Sequence, residues 1–496
     1  MPSRRQFFGR CAGLAALGAS GQALADSATY RSFHAALERD ARLGVYADFA
    51  GELTGEATVL GRLPRDLSGV FYRNGPGRFE LGGERYHHGF DGDGFAQRWA
   101  IADGKVAHRG RFVATHKFEQ ESRAGRFLYS AFGTSIDRAP VRSNDVVNVA
   151  NTNLLPFNGA VYALWEGGSA TELDPETLAT RGIKTWRPDL KAMPFSAHTK
   201  ADPDGGLWNF GNLPGADQLI VYRLDARGAV TRTALLPVPH LNMVHDFVVS
   251  ARHLVFLVPP YALDQPGKSL AERLHWQGGE RPLRAVVVDK ATLTVRQVFE
   301  LPARSVFHLG NAWDDGACIR LDAVLHQGDI VPEPALPMRG EMRPYQAQRS
   351  SAVQITLDLA SGQAREARLF GVSEFPRVAP QVVARRHRKL LVLGVSPASA
   401  AQVLDSVNLV DTDSGQVDGY RFGPGWQVEE HVLVPRAGAG AGTETDGYVV
   451  GVAQDTRRSQ TVLTVFDARN VKDGPVALAR LGYRAPVCFH GNFLTT

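Results

Sequence analysis

The sequence predicts an all-β fold, a seven-bladed β-propeller with loop and short-helix insertions roofing one face. Three observations carry the prediction. Strand-length apolar runs bounded by turn residues recur along the chain: VYALWE (161–166), LIVYRL (219–224), HLVFLVP (253–259), LRAVVVD (283–289), KLLVLGV (389–395), GYVVGVA (447–453) and TVLTVFD (461–467). Turns built on an aspartate follow such runs at Asp174, Asp289 and Asp358, the strand–Asp–turn–strand pattern of a propeller blade. Six short segments also carry one acid or base each in an apolar setting, at intervals of 47 to 66 residues. They are SAHT (His198), VHDF (His245), FHLGN (His308), SEFP (Glu374), VEEHVLV (Glu430) and FHGNF (His490). Dividing the 471 residues from 26 to 496 by a unit of about 60–65 gives about seven blades.

Composition agrees with one large folded domain. Hydrophobic residues make up 44% of 496, enough for an extensive core. The formal net charge of +4 is too small for a nucleic-acid binder, and the one basic run, Arg385 to Lys389, reads as a solvated turn. Glycine (51) and proline (28) are spread along the chain, as many strand-joining turns require. No linker or composition break divides residues 26–496.

Residues 1–25 read as a removable leader. Arg4, Arg5 and Arg10 stand without an acid, a small-residue apolar stretch runs from Ala12 to Ala19, and Ala23-Leu24-Ala25 offers a cleavage site. The string Ser3-Arg4-Arg5-Gln6-Phe7-Phe8 is similar to a twin-arginine signal, so export to the periplasm in the folded state is expected. Removing the leader leaves Cys318 and Cys488, which are no disulfide framework. Cys488, two residues before His490, is expected on the same strand face as that histidine.

Other elements follow in order. Residues 31–49 read as a short helix, with Phe33, Leu37 and Leu43 roughly in phase. Residues 259–282 contain a helix candidate from Lys268 to Trp276, and 326–349 are proline-rich and irregular. Both are placed as insertions on one face, where they can roof a tunnel. The string Asp91-Gly92-Asp93-Gly94 lacks the further ligands of a Ca²⁺ loop and reads as a turn near the propeller axis.

Four histidines spread from 198 to 490 cannot form a local metal motif. Placed at equivalent points of a closed ring, they can meet on its axis. Imidazole suits Zn, Cu, Fe and Ni, and the residue type does not choose among them. Four neutral imidazoles leave an octahedral metal two open positions. A metal-bound histidine normally donates its second ring N–H to a carboxylate or carbonyl, and Glu374, Glu430 and Glu166 are candidates for that support.

These residues stand in segments that resemble the carotenoid cleavage oxygenase family over essentially the whole mature chain. The segments are FYRNGPG (71–77), FDGDGF (90–95), NVANTN (148–153), ALWEGG (163–168), SAHTKADPDGG (196–206), VHDF (244–247), FHLGNAW (307–313), SEFPRV (373–378), EEHVLVPR (429–436) and FHGNF (489–493). RNGPG, FDGDG and ALWEGG look most like the bacterial apocarotenoid oxygenase branch. The resemblance implies a non-haem Fe(II) on the axis, held by His198, His245, His308 and His490, with Glu166, Glu374 and Glu430 behind the ligands. It implies that the Thr152 methyl crowds one open iron position. It also implies cleavage of a conjugated C=C bond by O2 to two carbonyl products, without an organic cofactor. The implied partner is a small apolar conjugated substrate; oligomeric state is left open.

Several departures shape the expectation. Phe95 replaces a frequent methionine, and SLAERLHWQGGERP (269–282) is less apolar than the family's membrane-docking stretch, so any membrane-surface association is weak. A lignostilbene branch holds a phenol with a tyrosine and a lysine directly before the first supporting glutamate; Trp165 stands there, which favours an apocarotenoid over a stilbene. Two further readings are a retinoid-type isomerase or hydrolase, and a non-catalytic propeller that binds apolar ligands. The last predicts that the four histidines need not converge.

Overall fold

Seven antiparallel sheets form the blades of a propeller, five with four strands and two with five, accompanied by two two-stranded ribbons. The computed structural model describes residues 27–49, 51–213, 215–263, 269–343, 349–395, 403–440 and 442–495. Residues 1–25, expected to be a leader, therefore lie outside the described residues.

Each blade is a meander whose innermost strand stands at one end of its sheet. These inner strands are Asn153–Phe157, Lys200–Ala201, Phe247–Val249, Ser305–Asp315, Ser373–Arg377, Trp426–Pro435 and His490–Thr495. The next strands outward are continuous apolar runs, as in His253–Val258, where every residue is buried between neighbouring blades. Outer strands alternate instead; in Thr294–Leu301 exposed residues interleave with half-buried and buried ones. The core is made by blades packing face to face: Val255, Leu257 and Val287 of one blade meet Ile319, Leu321 and Ile355 of the next. Each such buried side chain contributes roughly 1.5–3 kcal/mol relative to exposure.

Both chain ends close the ring. His490–Thr495 pairs antiparallel with Gly69–Arg78, placing His490 opposite Asn74. In the neighbouring blade the N-terminal strand Thr58–Gly61 forms the outer edge beside Ala477–Arg480. The closing interface buries Phe71, Trp99, Val450 and Leu463 in one cluster.

The aspartate turns have a common cause. Asp174 accepts from the backbone N–H groups of Glu176 and Thr177, Asp289 from that of Thr292, and Asp358 from those of Ala360 and Ser361. Each side chain thereby caps its own turn.

Two helix expectations are corrected. The first helix covers only Ala28–Leu37 and is followed by a 3₁₀ turn, Ala41–Tyr46, because Asp40 caps a new start by accepting from the Arg42 N–H. The second is a single turn, Leu270–Arg273. His275–Trp276 instead pairs as a strand with Tyr261–Ala262, and Lys268 lies outside the described residues. Among the described residues, the insertion 259–282 contributes none to the wall of the central cavity; its Tyr261 and Leu274 pack under Val331 and prop the roof from behind. The roof itself is formed by Glu333, Pro334, Leu336 and Pro337. The N-terminal helix clasps it through Ser32, whose hydroxyl donates to the Arg339 carbonyl at 2.8 Å.

The basic run is an ion-paired turn, with Arg386 on Asp413 and both Arg388 and Lys389 on Asp411. Among the described residues, no helix is long and apolar enough to cross a membrane.

Candidate metal centre

The six residues of the sequence grid all belong to inner strands or their immediate approaches. His198 and His245 stand two residues ahead of Lys200–Ala201 and Phe247–Val249. His308, Glu374, Glu430 and His490 lie within their strands. The seventh blade contributes Thr152, directly before Asn153–Phe157.

Three inner strands break register at the functional residue. The shifts fall between Val306 and Leu309, between Glu374 and Arg377, and between Val428 and His431. A bulge re-aims a side chain that a regular pleat would send elsewhere. At the second of these Phe375 takes a left-handed backbone (φ 57°) and its ring stacks on His308, with centroids 5.0 Å apart.

The four imidazoles meet on the axis. One ligand nitrogen from each of His198, His245, His308 and His490 lies within 4.8 Å of the others. His198 Nε2 and His245 Nε2 are 3.0 Å apart, and His308 Nε2 and His490 Nε2 are 3.1 Å apart. Three of the rings are held from behind. His245 Nδ1 lies 2.7 Å from Glu166 Oε2, His308 Nδ1 2.6 Å from Glu374 Oε2, and His490 Nδ1 3.0 Å from Glu430 Oε1. Each Nδ1–H donates to its carboxylate, so each Nε2 lone pair faces the axis.

His198 is held differently. Its Nδ1 is 3.8 Å from Asp246 Oδ1, beyond hydrogen-bonding range. Asp246 is committed elsewhere: it pairs with Lys200 at 2.8 Å and accepts from the Phe247 and Leu309 N–H groups. It stitches three adjacent inner strands together.

The electrostatics follow from burial and these pairs. Burial favours neutral His198, the neighbouring histidines add to it, and its pKa falls far below the usual range. Burial likewise lowers His490, to about 4, against the pull of Glu430. At His245 burial is outweighed by the Glu166 carboxylate and the shift is upward. Burial would raise Glu374 and Glu430, but the histidines on Glu374, and Arg377 with His490 on Glu430, hold both below the ordinary carboxylate range.

This donor set fits a divalent metal. The Nε2 lone pairs of His245, His308 and His490 face the axis because their Nδ1–H groups are spent on carboxylates, and His198 Nε2 joins them at 3.0 Å from His245 Nε2. The convergence removes the premise of a propeller whose histidines need not meet.

The centre opens into a cavity of about 310 Å³. Its walls are mainly apolar and include Phe90, Phe132, Trp165, Phe307, Phe375 and Phe489. Thr152 and Glu166 face the same cavity. The Asp91–Gly94 turn supports this wall: the Asn151 amide donates to the Phe90 and Gly92 carbonyls, and the Gly94 N–H donates to the Val149 carbonyl. Asp91 accepts from Gly133 and Thr134 and holds no cation-like geometry.

Cys488 lines the same cavity as His490, though not from the strand expected. The strand begins at His490, so Cys488 lies outside it. Its sulfur accepts from the Gln97 amide at 3.1 Å, burial pushes the thiol strongly upward, and it is not among the clustered ligands. Three polar residues at the site were given no role from the sequence: Asp246 of VHDF; Arg377 of SEFPRV, which pairs with Glu430 at 2.9 Å; and His326, outside any quoted segment, which meets Glu374 at 2.8 Å.

The model of the retinal pigment epithelial membrane protein family matches residues 46–495. The chain belongs to this family, the carotenoid cleavage oxygenases. Relatives include the apocarotenoid-15,15'-oxygenase of Synechocystis, 27% identical over 463 residues covering 88% of this chain and 92% of the relative. Lignostilbene-α,β-dioxygenase isozyme III of Sphingomonas paucimobilis is 28% identical over 468 residues, covering 88% and 92%. Isoeugenol monooxygenase of Pseudomonas nitroreducens is 27% identical over 452 residues, covering 87% and 93%. A cobalt-substituted apocarotenoid oxygenase of Synechocystis superimposes with a TM-score of 0.83 at 25% identity, covering 92% of this chain and 98% of that one. The protein is therefore an enzyme, a cleavage oxygenase of this family.

Proposed function

We propose that this protein is an Fe(II)-dependent dioxygenase that cleaves a conjugated C=C bond of a carotenoid or apocarotenoid with O2, giving two carbonyl products. One observation carries the reading: four Nε2 atoms within 4.8 Å, at the floor of an aromatic-walled cavity. His198, His245, His308 and His490 would hold the iron. When bound, it supplies the binding and activation of dioxygen.

The chain supplies the rest. Phe90, Phe132, Phe307 and Phe489 bury the polyene, exclude water and set which double bond lies beside the centre. Glu166, Glu374 and Glu430 fix the ring orientations of His245, His308 and His490. Thr152 narrows the space on its side of the cavity. A weak association with a membrane surface, where such substrates dissolve, and export by the leader at residues 1–25 complete the proposal.

A second reading, cleavage of a phenolic olefin, draws support from the lignostilbene and isoeugenol relatives. Trp165 weighs against it, because an indole cannot pair with a phenolate as a lysine does. Aerobic incubation with β-apocarotenals, hydroxystilbenes and isoeugenol, with identification of the aldehydes, separates the two. Aldehydes from the apocarotenals support the proposal, aldehydes from the phenolic set alone establish the second reading, and none from either overturns both.

A further inference from the structure

We propose that His326 is a positioning residue of the metal centre: a hydrogen-bond donor that locks Glu374, and through it His308. His326 ends the strand Cys318–His326 and is 2% exposed. Its register partner on the inner strand is Ser305, so it is brought to the site by pairing, not by a local motif.

The geometry is specific. Glu374 Oε2 accepts from His308 Nδ1 at 2.6 Å and from the Phe375 N–H at 2.8 Å. Glu374 Oε1 is met by His326 Nε2 at 2.8 Å. Without His326, Glu374 Oε1 loses the partner it has among the described residues, and rotation of the carboxylate is no longer opposed there. The far nitrogen of His326, Nδ1, is buried without a partner among the described residues. Nε2 faces an anion and must carry the proton, so Nδ1 is left bare against the apolar wall near Phe307.

Glu430 shows the contrast. Its Oε1 is paired with the Arg377 guanidinium at 2.9 Å and its Oε2 accepts from the Gly491 N–H at 2.8 Å. A cation therefore offsets the carboxylate behind His490. At the carboxylate behind His308 the group in the corresponding place is an imidazole N–H, not a guanidinium. The two supports are alike in sequence and unlike in the group that faces them.

The test uses Co(II), which reports ligand field by its visible spectrum and needs no turnover. His326→Phe keeps the apolar volume and removes the donor; His326→Gln keeps a donor. Expected for His326→Phe is a loss of Co(II) affinity that is measurable but smaller than the roughly 10–100-fold cost of removing the group directly behind a ligand, with a shifted spectrum. Expected for His326→Gln is recovery of most of that affinity and of the wild-type spectrum. Thermal midpoints of the metal-free proteins show that each variant folds. Equal loss in both variants, or wild-type Co(II) binding in His326→Phe, overturns the role. The inference rests on the metal-centre reading, and that reading fails separately if the wild-type protein takes up no Co(II).

Discussion

His308 Nε2 and His490 Nε2 lie 3.1 Å apart although 182 residues separate them in the chain. Their far nitrogens are committed to Glu374 and Glu430, so the facing nitrogens are two lone pairs in contact range. Such an arrangement repels unless a cation sits between the rings. The closure of the ring by the C-terminal strand brings the pair together, and a shared metal gives the contact its reason.

Supports should be worth less than ligands. His308→Ala should abolish iron retention, whereas Glu374→Gln should weaken metal affinity about 10–100-fold and leave measurable activity. Iron content after anaerobic purification, with titration of Fe(II) into the metal-free protein, checks both.

Trp165 is expected to set substrate preference. Trp165→Lys places a cation directly before Glu166 in the cavity wall. A hydrogen bond to a charged group contributes about 1.5–3 kcal/mol, so the preference for hydroxystilbenes over apocarotenals should rise roughly 10–100-fold. The ratio of kcat/KM for the two substrates measures it.

The Gly92–Gly94 turn should matter to the cavity although it touches no ligand. A Cβ at Gly94 would collide with the Ala150 carbonyl and press on that of Val149 at 2.8 Å. Gly94→Ala should cost about 1–3 kcal/mol by overpacking and lower activity by displacing the segment that carries Thr152. Urea unfolding and turnover of the same preparation report the two effects.

Acid should destabilise the fold independently of the metal centre. Burial lowers His88 to about 4, His108 to about 3 and His431 to about 3 from an ordinary 6.5. The folded state keeps these rings neutral, while the unfolded chain takes up protons below pH 6.5. Their contribution is therefore complete above 6.5 and is lost as pH falls from 6.5 toward 3–4. The thermal midpoint of the metal-free protein should fall steadily between pH 7 and pH 4; a flat profile would contradict this.

The leader proposed for residues 1–25 gives a prediction of its own. Arg4→Lys with Arg5→Lys should leave full-length protein in the cytoplasm, read by fractionation and immunoblotting.

Much of the centre was legible because the repeat puts equivalent residues on one axis. The grid of His198, His245, His308, Glu374, Glu430 and His490 maps onto inner strands or their approaches, and Thr152 completes it in the seventh blade. Glu166 stands off the grid because it follows the second strand of its blade, Ala160–Leu164, and reaches His245 from the side. His326 and Arg377 were not legible. Each is brought to its glutamate by strand pairing or a bulge; Arg377 stands in the quoted SEFPRV segment, but the segment does not record its pairing with Glu430, and His326 stands in no quoted segment. The two helices were overread for a similar reason: helical phase persisted past Asp40 and Leu274, where a cap and a strand partner took over.

The most direct test is anomalous diffraction at the iron edge from crystals grown anaerobically with Fe(II). The account predicts one strong peak on the propeller axis, about 2.0–2.2 Å from Nε2 of all four histidines, by analogy with other metal–imidazole bonds. No peak there, or a peak bound by other residues, would contradict it.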